Sequence, residues 1–243
     1  MKAVILAAGI ASRLRPLTDK IPKCLLTVGE ESILERSIRS LTEQGIHDFV
    51  IVTGFRAEQI EDVIRQRFAS QKFQLVYNDL YASTNNIYSL WLAKKWTKGA
   101  EIVLLDSDII FDRRILEVLF AEKHPDCLAL RSNGTIGREE MKVRTTATGF
   151  VQEIAKTIAP AKAAGESIGI EKFSPDFTIM LFDILDRMIV SEQKVDKFYE
   201  LAFQEVVDGG QPLKAVDVGR LRCIEIDTPD DLSAAQSMIK KLK

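Results

Sequence analysis

Cysteine and histidine are scarce in this chain. Its three cysteines, Cys24, Cys127 and Cys223, are odd in number and far apart, which excludes a disulfide framework and points to a reducing, cytoplasmic setting. With only His47 and His124 beside them, no spacing resembles a zinc site. No apolar run approaches the length of a membrane span. The apolar stretch after Met1-Lys2 is too short for a signal peptide and leads into Arg13 and Arg15. Neither sign of charge dominates: 33 basic against 35 acidic residues leave a net of −2, so nothing draws the chain to nucleic acid or an anionic membrane. Repeats, linkers and low-complexity segments are missing as well.

What is present is an alternation of strand and helix signals in 243 residues, enough for one large domain. Ala3 to Leu6 reads as a strand. Ser32 to Gln44 follows with apolar residues at helical spacing and Gly45 placed to end it. Phe49 to Val52 reads as a strand, Ala57 to Phe68 as a helix, and Leu75 to Tyr77 as a strand. Ile87 to Trp96 reads as a helix capped by Asn85-Asn86, and Ile102 to Leu105 as a buried strand. This order predicts an α/β, Rossmann-like, doubly wound mixed sheet, mostly parallel, with ligands beyond the carboxyl ends of its strands. The pattern loosens from Pro125 to Gly169, where Cys127–Leu130 and Met141–Val143 read as short strands. Helices are expected over 175–190 and 197–207, then a strand at Cys223–Ile226. Thr228, Pro229 and Asp231 make a good helix start. One domain over 1–243 is expected, with 1–125 as its regularly alternating half and 126–243 as the half that carries a mixed insertion.

The most informative stretch is Ala7 to Thr18 with Pro22-Lys23. A strand runs into a loop of small residues and then into two isolated cations. Small side chains let the backbone approach an anion, and consecutive N–H groups can face its oxygens. Arg13 and Lys23 would add charge-assisted contacts. The glycines of a Walker A loop or a dinucleotide fingerprint are missing; the alternative is an ordinary strand-to-helix turn. Asp106 and Asp108 follow one apolar strand and Asp227 follows another. Asp106 with Asp227 would seat Mg²⁺, which favours one or two carboxylates plus substrate phosphate oxygens; otherwise these aspartates cap helices. Asp108 reads as a supporting or capping residue. Cys24, beside Lys23, is either a reactive thiolate or a small packing residue.

Lys2 to Gly9, Ser12-Arg13-Leu14, Pro16-Leu17-Thr18 and Pro22-Lys23 together resemble the signature of the sugar-nucleotidyltransferase superfamily. Asn78-Asp79, Asn85 to Leu90, Met141-Lys142-Val143 and Gly165 to Ile170 narrow the resemblance to bacterial phosphocholine and 2-aminoethylphosphonate cytidylyltransferases. It extends over essentially the whole chain. The resemblance implies a fold of the nucleotide-diphospho-sugar transferase type, with an acceptor-side insertion, 1–125 as the nucleotide-binding half and 126–243 as the acceptor-binding half. It also implies Mg²⁺-dependent transfer of CMP from CTP to 2-aminoethylphosphonate, phosphocholine or phosphoethanolamine, with release of pyrophosphate. Leu6, Ala7, Ala8, Gly9, Ser12, Arg13, Lys23 and Asp106 would then hold the nucleotide, with Arg13 and Lys23 catalytic. Asn78, Asn85, Asn86 and Ser89 would approach the base and ribose. Lys142 and Lys156 would serve the acceptor phosphate, and Asp106 with Asp227 the metal.

Two departures stand out. Ala11 occupies a position where relatives often have glycine, so positive φ would be unfavourable there. Both tryptophans, Trp91 and Trp96, fall in the first half, whereas a quaternary ammonium group is usually held over aromatic faces. Phe173, Phe177, Phe198 and Tyr199 could form a partial cage, although their spacing suits a core. Glu166, Glu171, Asp196 and Glu200 would instead suit a primary amine at the acceptor. The alternatives are a sugar-1-phosphate or inositol-phosphate nucleotidyltransferase and, in another class, a non-catalytic nucleotide-binding regulator. A homodimer is left open.

Overall fold

The computed structural model describes residues 1–134 and 136–240. β1 (Lys2–Ala7) leads through the small-residue loop to a ribbon of β2 (Thr27–Val28) and β3 (Glu31–Ser32), then α1 (Ile33–Glu43), β4 (Asp48–Thr53), α2 (Ala57–Arg67) and β5 (Lys72–Tyr77). Next come α3 (Asn86–Leu92), α4 (Lys94–Thr97), β6 (Ile102–Asp106), β7 (Ile109–Phe111), α5 (Arg114–Ala121) and β8 (Cys127–Arg131). The chain continues with β9 (Lys142–Thr145), β10 (Val151–Ala155), β11 (Gly165–Phe173), α6 (Pro175–Asp186) and α7 (Glu200–Asp208). It finishes with β12 (Lys214–Asp217), β13 (Cys223–Glu225) and α8 (Pro229–Ile239).

Nine strands form one mixed sheet in the order β10-β9-β11-β6-β1-β4-β5, with β8 against β11 and β12 against β8. β6, β1, β4 and β5 pair in parallel, as the βαβ alternation predicts. β11 runs antiparallel to β6, β8 and β9 and joins the two halves of the chain into that single sheet. Strand side chains alternate between two cores. Val4, Leu6, Val50, Val52, Ile102 and Leu104 pack under α3, α6 and α7. Ala3, Ile5, Ala7, Phe49, Ile51, Val103 and Leu105 pack under α1, α2 and α5. Burial on both faces is what the near-continuous apolar strands require. Ser32 and Glu35 form a reciprocal capping box at α1, as do Thr228 and Asp231 at α8.

The structure departs from the sequence reading at several points. The helix expected over 87–96 is two helices, α3 and α4, with Ala93 between them. α7 begins at Glu200 rather than Lys197, because residues 195–199 are stapled to the start of α3. The strand at Cys223 is not part of the main sheet: β13 pairs with β7 in a separate ribbon. Asp227 therefore reaches the site not from a neighbouring sheet strand but because β7 directly follows Asp106 to Asp108. Ala11 does adopt the left-handed conformation, with φ 53° and ψ 52°. Its carbonyl accepts hydrogen bonds from Thr18 Oγ1 (2.8 Å) and from the Leu14 N–H (3.1 Å), which hold a conformation alanine disfavours.

Gly54 sets the first wall of the site. A Cβ there would lie 2.6 Å from the Ala8 carbonyl oxygen and 2.6 Å from Tyr81 Cβ. The Phe55 N–H donates to that same carbonyl at 3.1 Å, so the β4 turn is pressed against the loop after β1. Gly54→Ala is expected to destabilise the fold by about 1–3 kcal/mol, the usual cost of overpacking. Urea unfolding checks this, and an unchanged midpoint would show that the loop can move aside.

Candidate active site

A cavity of about 660 Å³ opens at the carboxyl ends of β1 and β6. Its walls bring together the Gly9–Arg13 loop, the turn after β6, the segment before α3, the start of α7 and the end of β13. Leu6, Ala7, Ala8, Gly9, Ser12, Arg13, Lys23, Asn78, Asn85, Asn86, Ser89, Asp106, Lys156, Glu166, Glu200 and Asp227 all line it, whereas Lys142, Glu171 and Asp196 do not. From Gly9 to Arg13, no N–H group among the described residues makes a hydrogen bond within the protein. A Cβ built at Gly9 would meet nothing within 4 Å. This is an open run of donors beside cations, the geometry that binds a polyphosphate.

Both cations are engaged by aspartates. Lys23 Nζ donates to Asp108 Oδ2 at 2.8 Å and to Asp227 Oδ1 at 2.7 Å, and Arg13 Nη2 donates to Asp227 Oδ2 at 2.6 Å. Burial opposes the charge on Lys23, but Asp108 and Asp227 outweigh it and hold its pKa above the ordinary lysine value. Burial pushes the Cys24 thiol up to about 12, so of its two readings the structure shows the packing one.

Carboxylates crowd the end of β6. Asp108, Glu225 and Asp227 each present an oxygen within 4.8 Å of the others'. Asp108 Oδ1 is buried without a hydrogen-bond partner. Burial, then Asp108 and Asp227, pushes Glu225 up to about 7. An all-oxygen donor set that is short of positive charge fits a hard divalent cation, and Lys23 now bridges two of its three members. Asp106 lies beside this trio and not within it: its Oδ2 accepts from the Tyr199 hydroxyl at 2.9 Å. Burial, then Asp108 and Glu200, raises Asp106 well above the carboxylate range. Glu225 was not legible as a site residue, although Glu225-x-Asp227 at strand spacing puts both on one face.

β11 is shaped around Asp106. Its register against β8 shifts between Ser167 and Glu171, and Gly169 within that stretch has φ +69°. A Cβ at Gly169 would stand 2.7 Å from Asp106 Oδ2, so glycine is needed both for the turn and for the approach.

The asparagines largely organise the wall. Asn78 is buried; its amide donates to Thr84 Oγ1 and Ser89 Oγ, and its oxygen accepts from the Leu80 N–H. Asn85 caps α3 by accepting from the Asn86 N–H, and its amide reaches the Asp196 carbonyl at 3.5 Å. Asn86 accepts from the Tyr199 N–H at 2.9 Å, which fixes the turn that carries Tyr199 and Glu200.

Of the acceptor candidates, Lys142 is elsewhere. It is buried, and its Nζ donates to the carbonyls of Gly137, Arg138 and Glu140. Its ammonium is spent on the loop whose Glu139 and Glu140 line the cavity. Glu171 lies behind the wall at 0% exposure, and Asp196 pairs with Lys197 at the surface. Glu166 pairs with Arg131, a cavity residue that sequence reasoning did not single out. Lys156 Nζ lies 4.3 Å from the centre of the Phe198 ring. Phe173 and Phe177 stack in the core at 4.3 Å and take no part.

Fold and site together define a domain of the NTP-transferase class. The chain belongs to the MobA-like NTP transferase domain family, which it matches over residues 3–222. It is 40% identical over 107 residues to the choline-phosphate cytidylyltransferase of Streptococcus pneumoniae, covering 44% of this chain and 45% of that one. It is 30% identical over 244 residues to the bifunctional IPC transferase and DIPP synthase of Aquifex aeolicus, covering 98% of this chain and 52% of that one. The chain thus spans about half the length of these two relatives. With the CTP:phosphoglutamine cytidylyltransferase of Campylobacter jejuni it shares 25% identity over 96% of this chain and 98% of that one. The solved CTP:phosphocholine cytidylyltransferase of S. pneumoniae superposes with a TM-score of 0.79 at 26% identity, covering 98% of both chains. No helix among the described residues is long and apolar enough to cross a membrane.

Two outcomes are expected from this geometry. Lys142→Met leaves three carbonyls without their donor and should cost on the order of 3 kcal/mol. Hydrogen exchange of the Gly137–Glu140 amides should accelerate, and unchanged protection would show that the loop holds without the ammonium. The second outcome concerns pH. Glu200 and Glu225 sit at 4.5 unfolded and about 7 folded, so between those values the native state binds more protons than the unfolded one. Their contribution therefore makes the metal-free protein less stable as pH rises from 4.5 to 7. Glu225→Gln should flatten this fall in urea titrations across the range. A slope equal to that of the unmodified protein would count against the raised carboxyl.

Proposed function

We propose that this chain transfers a cytidylyl group from CTP to a small phosphorylated or phosphonate acceptor, such as 2-aminoethylphosphonate, phosphocholine or phosphoethanolamine. The observation that carries this reading is one cavity edge with an open run of N–H donors, two cations and three clustered carboxylates. The names of the S. pneumoniae and C. jejuni relatives support CTP as donor.

The acceptor's phosphate or phosphonate oxygen attacks the α-phosphorus of CTP in line. An O–P bond forms, the bond to the bridging oxygen of the β-phosphate breaks, and pyrophosphate leaves with that electron pair. The attacking oxygen is already deprotonated at neutral pH, so no general base is required. Gly9 to Arg13 bind the triphosphate through their N–H groups, and Arg13 and Lys23 neutralise the leaving pyrophosphate. Asp108, Glu225 and Asp227, with Asp106 beside them, would hold Mg²⁺. When bound, the ion offsets charge on donor and acceptor oxygens. Asn78, Asn85, Asn86 and Ser89 shape the wall beside the base and ribose, and Lys156 meets the acceptor phosphate. The free, buried cysteines suit a cytoplasmic enzyme. Transfer to an inositol or sugar phosphate is the second reading; the A. aeolicus relative, a bifunctional IPC transferase and DIPP synthase, aligns over 98% of this chain and 52% of its own length.

Purified protein with CTP, Mg²⁺ and a panel of phosphorylated acceptors should release pyrophosphate. Silence across the panel would sink the proposal, and turnover only with a sugar or inositol phosphate would favour the second reading. Asp227→Ala removes a partner of both Arg13 and Lys23 and a member of the acid trio. It should lower turnover at least about a hundredfold while circular dichroism remains unchanged. A near-normal rate would remove Asp227 from the mechanism.

A further inference from the structure

Glu200, the first residue of α7, lines the cavity at 6% exposure, and its Oε2 is buried without a hydrogen-bond donor. A buried acceptor without a donor costs stability, on the order of 1–3 kcal/mol. Such a group marks a place where a donor from outside completes the structure. The positioning of Glu200 is not incidental. Asn86 accepts from the Tyr199 N–H, the Tyr199 hydroxyl is tied to Asp106, and Asn85 reaches the carbonyl of Asp196, so the turn before Glu200 is held at three points. Lys156 lines the same cavity, close enough for its charge to draw the Glu200 pKa downward. A carboxyl group short of a donor and a cation lining one cavity form the complement of a small zwitterion that carries a phosphate and an ammonium group.

The aromatic lining distinguishes one kind of ammonium from another. Only two aromatic residues among the described residues line the cavity, Tyr81 and Phe198. Tyr81 stands edge-on to Phe55 beside the loop after β1, with ring centres 6.3 Å apart. Lys156 already covers the Phe198 ring at 4.3 Å. A trimethylammonium group has no N–H to give and is held by several aromatic faces. Here two rings are present and Lys156 covers one of them, too few for a cage, whereas an unfilled acceptor is available.

Resting on the cytidylyltransferase reading above, we propose that Glu200 selects acceptors whose ammonium group carries at least one N–H, received by its Oε2, over quaternary ones. The test uses the intact protein with CTP, Mg²⁺ and five acceptors: 2-aminoethyl phosphate, its mono-, di- and trimethyl derivatives, and propyl phosphate as an uncharged isostere. The first three should differ little. The trimethyl compound should fall at least tenfold in kcat/KM, a step placed at loss of the last N–H, and propyl phosphate should fall further. Glu200→Gln should shrink the ratio of 2-aminoethyl phosphate to propyl phosphate at least tenfold. The acceptor series stands without the variant should the variant fail to fold. Equal or better turnover of the trimethyl compound or of propyl phosphate would overturn the proposal while leaving CTP-dependent transfer intact. No pyrophosphate release with any of the five, alongside release with a sugar or inositol phosphate, would overturn both readings together.

Discussion

A local excess of negative charge at the end of β6 is the constraint around which the site is built. Asp106, Asp108, Glu225 and Asp227 converge there, with Glu171 and Glu200 close behind, and the chain answers them chiefly with Lys23. Its ammonium lies between Asp108 and Asp227 and is itself largely buried. Uncompensated carboxylates in such surroundings are costly, which is why Asp106, Glu171, Glu200 and Glu225 all move toward the protonated form. The same arrangement is suited to catalysis of phosphoryl chemistry. Its excess negative charge would be offset by a divalent ion, and Lys23 would then be free to meet a phosphate in the cavity.

Holding this cluster together requires a rigid frame. The two cores, one on each face of the sheet, fix β1 and β6 side by side, and β11 closes against β6 with Gly169 pressed on Asp106. The polar wall is equally constrained. Asn78 and Asn85 spend both side-chain groups on neighbouring segments and Asn86 its side-chain oxygen, so the cavity is shaped before any ligand arrives. Lys142 does the same for the wall that carries Glu139 and Glu140 through three carbonyls. Preorganisation of this kind lowers the entropy that a ligand must lose on binding.

Much of the fold was legible because its signals are local. Apolar runs of four residues flanked by amphipathic helices define the parallel half, and the capping pair at Thr228 marks a helix start within a residue. The loop after β1 and the acids at 106, 108 and 227 stand out for the same reason: each adjoins a strand end. The acceptor side was less legible. Lys142, a cation in a suggestive place, is turned inward by carbonyls brought to it by a loop. Glu171 alternates away from the cavity, Asp196 faces solvent, and Glu225 escaped notice because a short strand beside an obvious aspartate carries little signal.

The sequence by itself determined the alternation of strands and helices, the small-residue loop with its two cations between Gly9 and Lys23, and the family to which the chain belongs. These depend on periodicity and on contiguous motifs. Tertiary structure alone decided that β13 leaves the main sheet to pair with β7, that Ala11 is held at positive φ, and that Asp108 and Glu225 join Asp227. It also decided which acids face the cavity. Residues 106, 166, 200 and 225 meet only because β6, β11, α7 and β13 converge, and long-range pairing of that kind leaves no periodic trace in the chain.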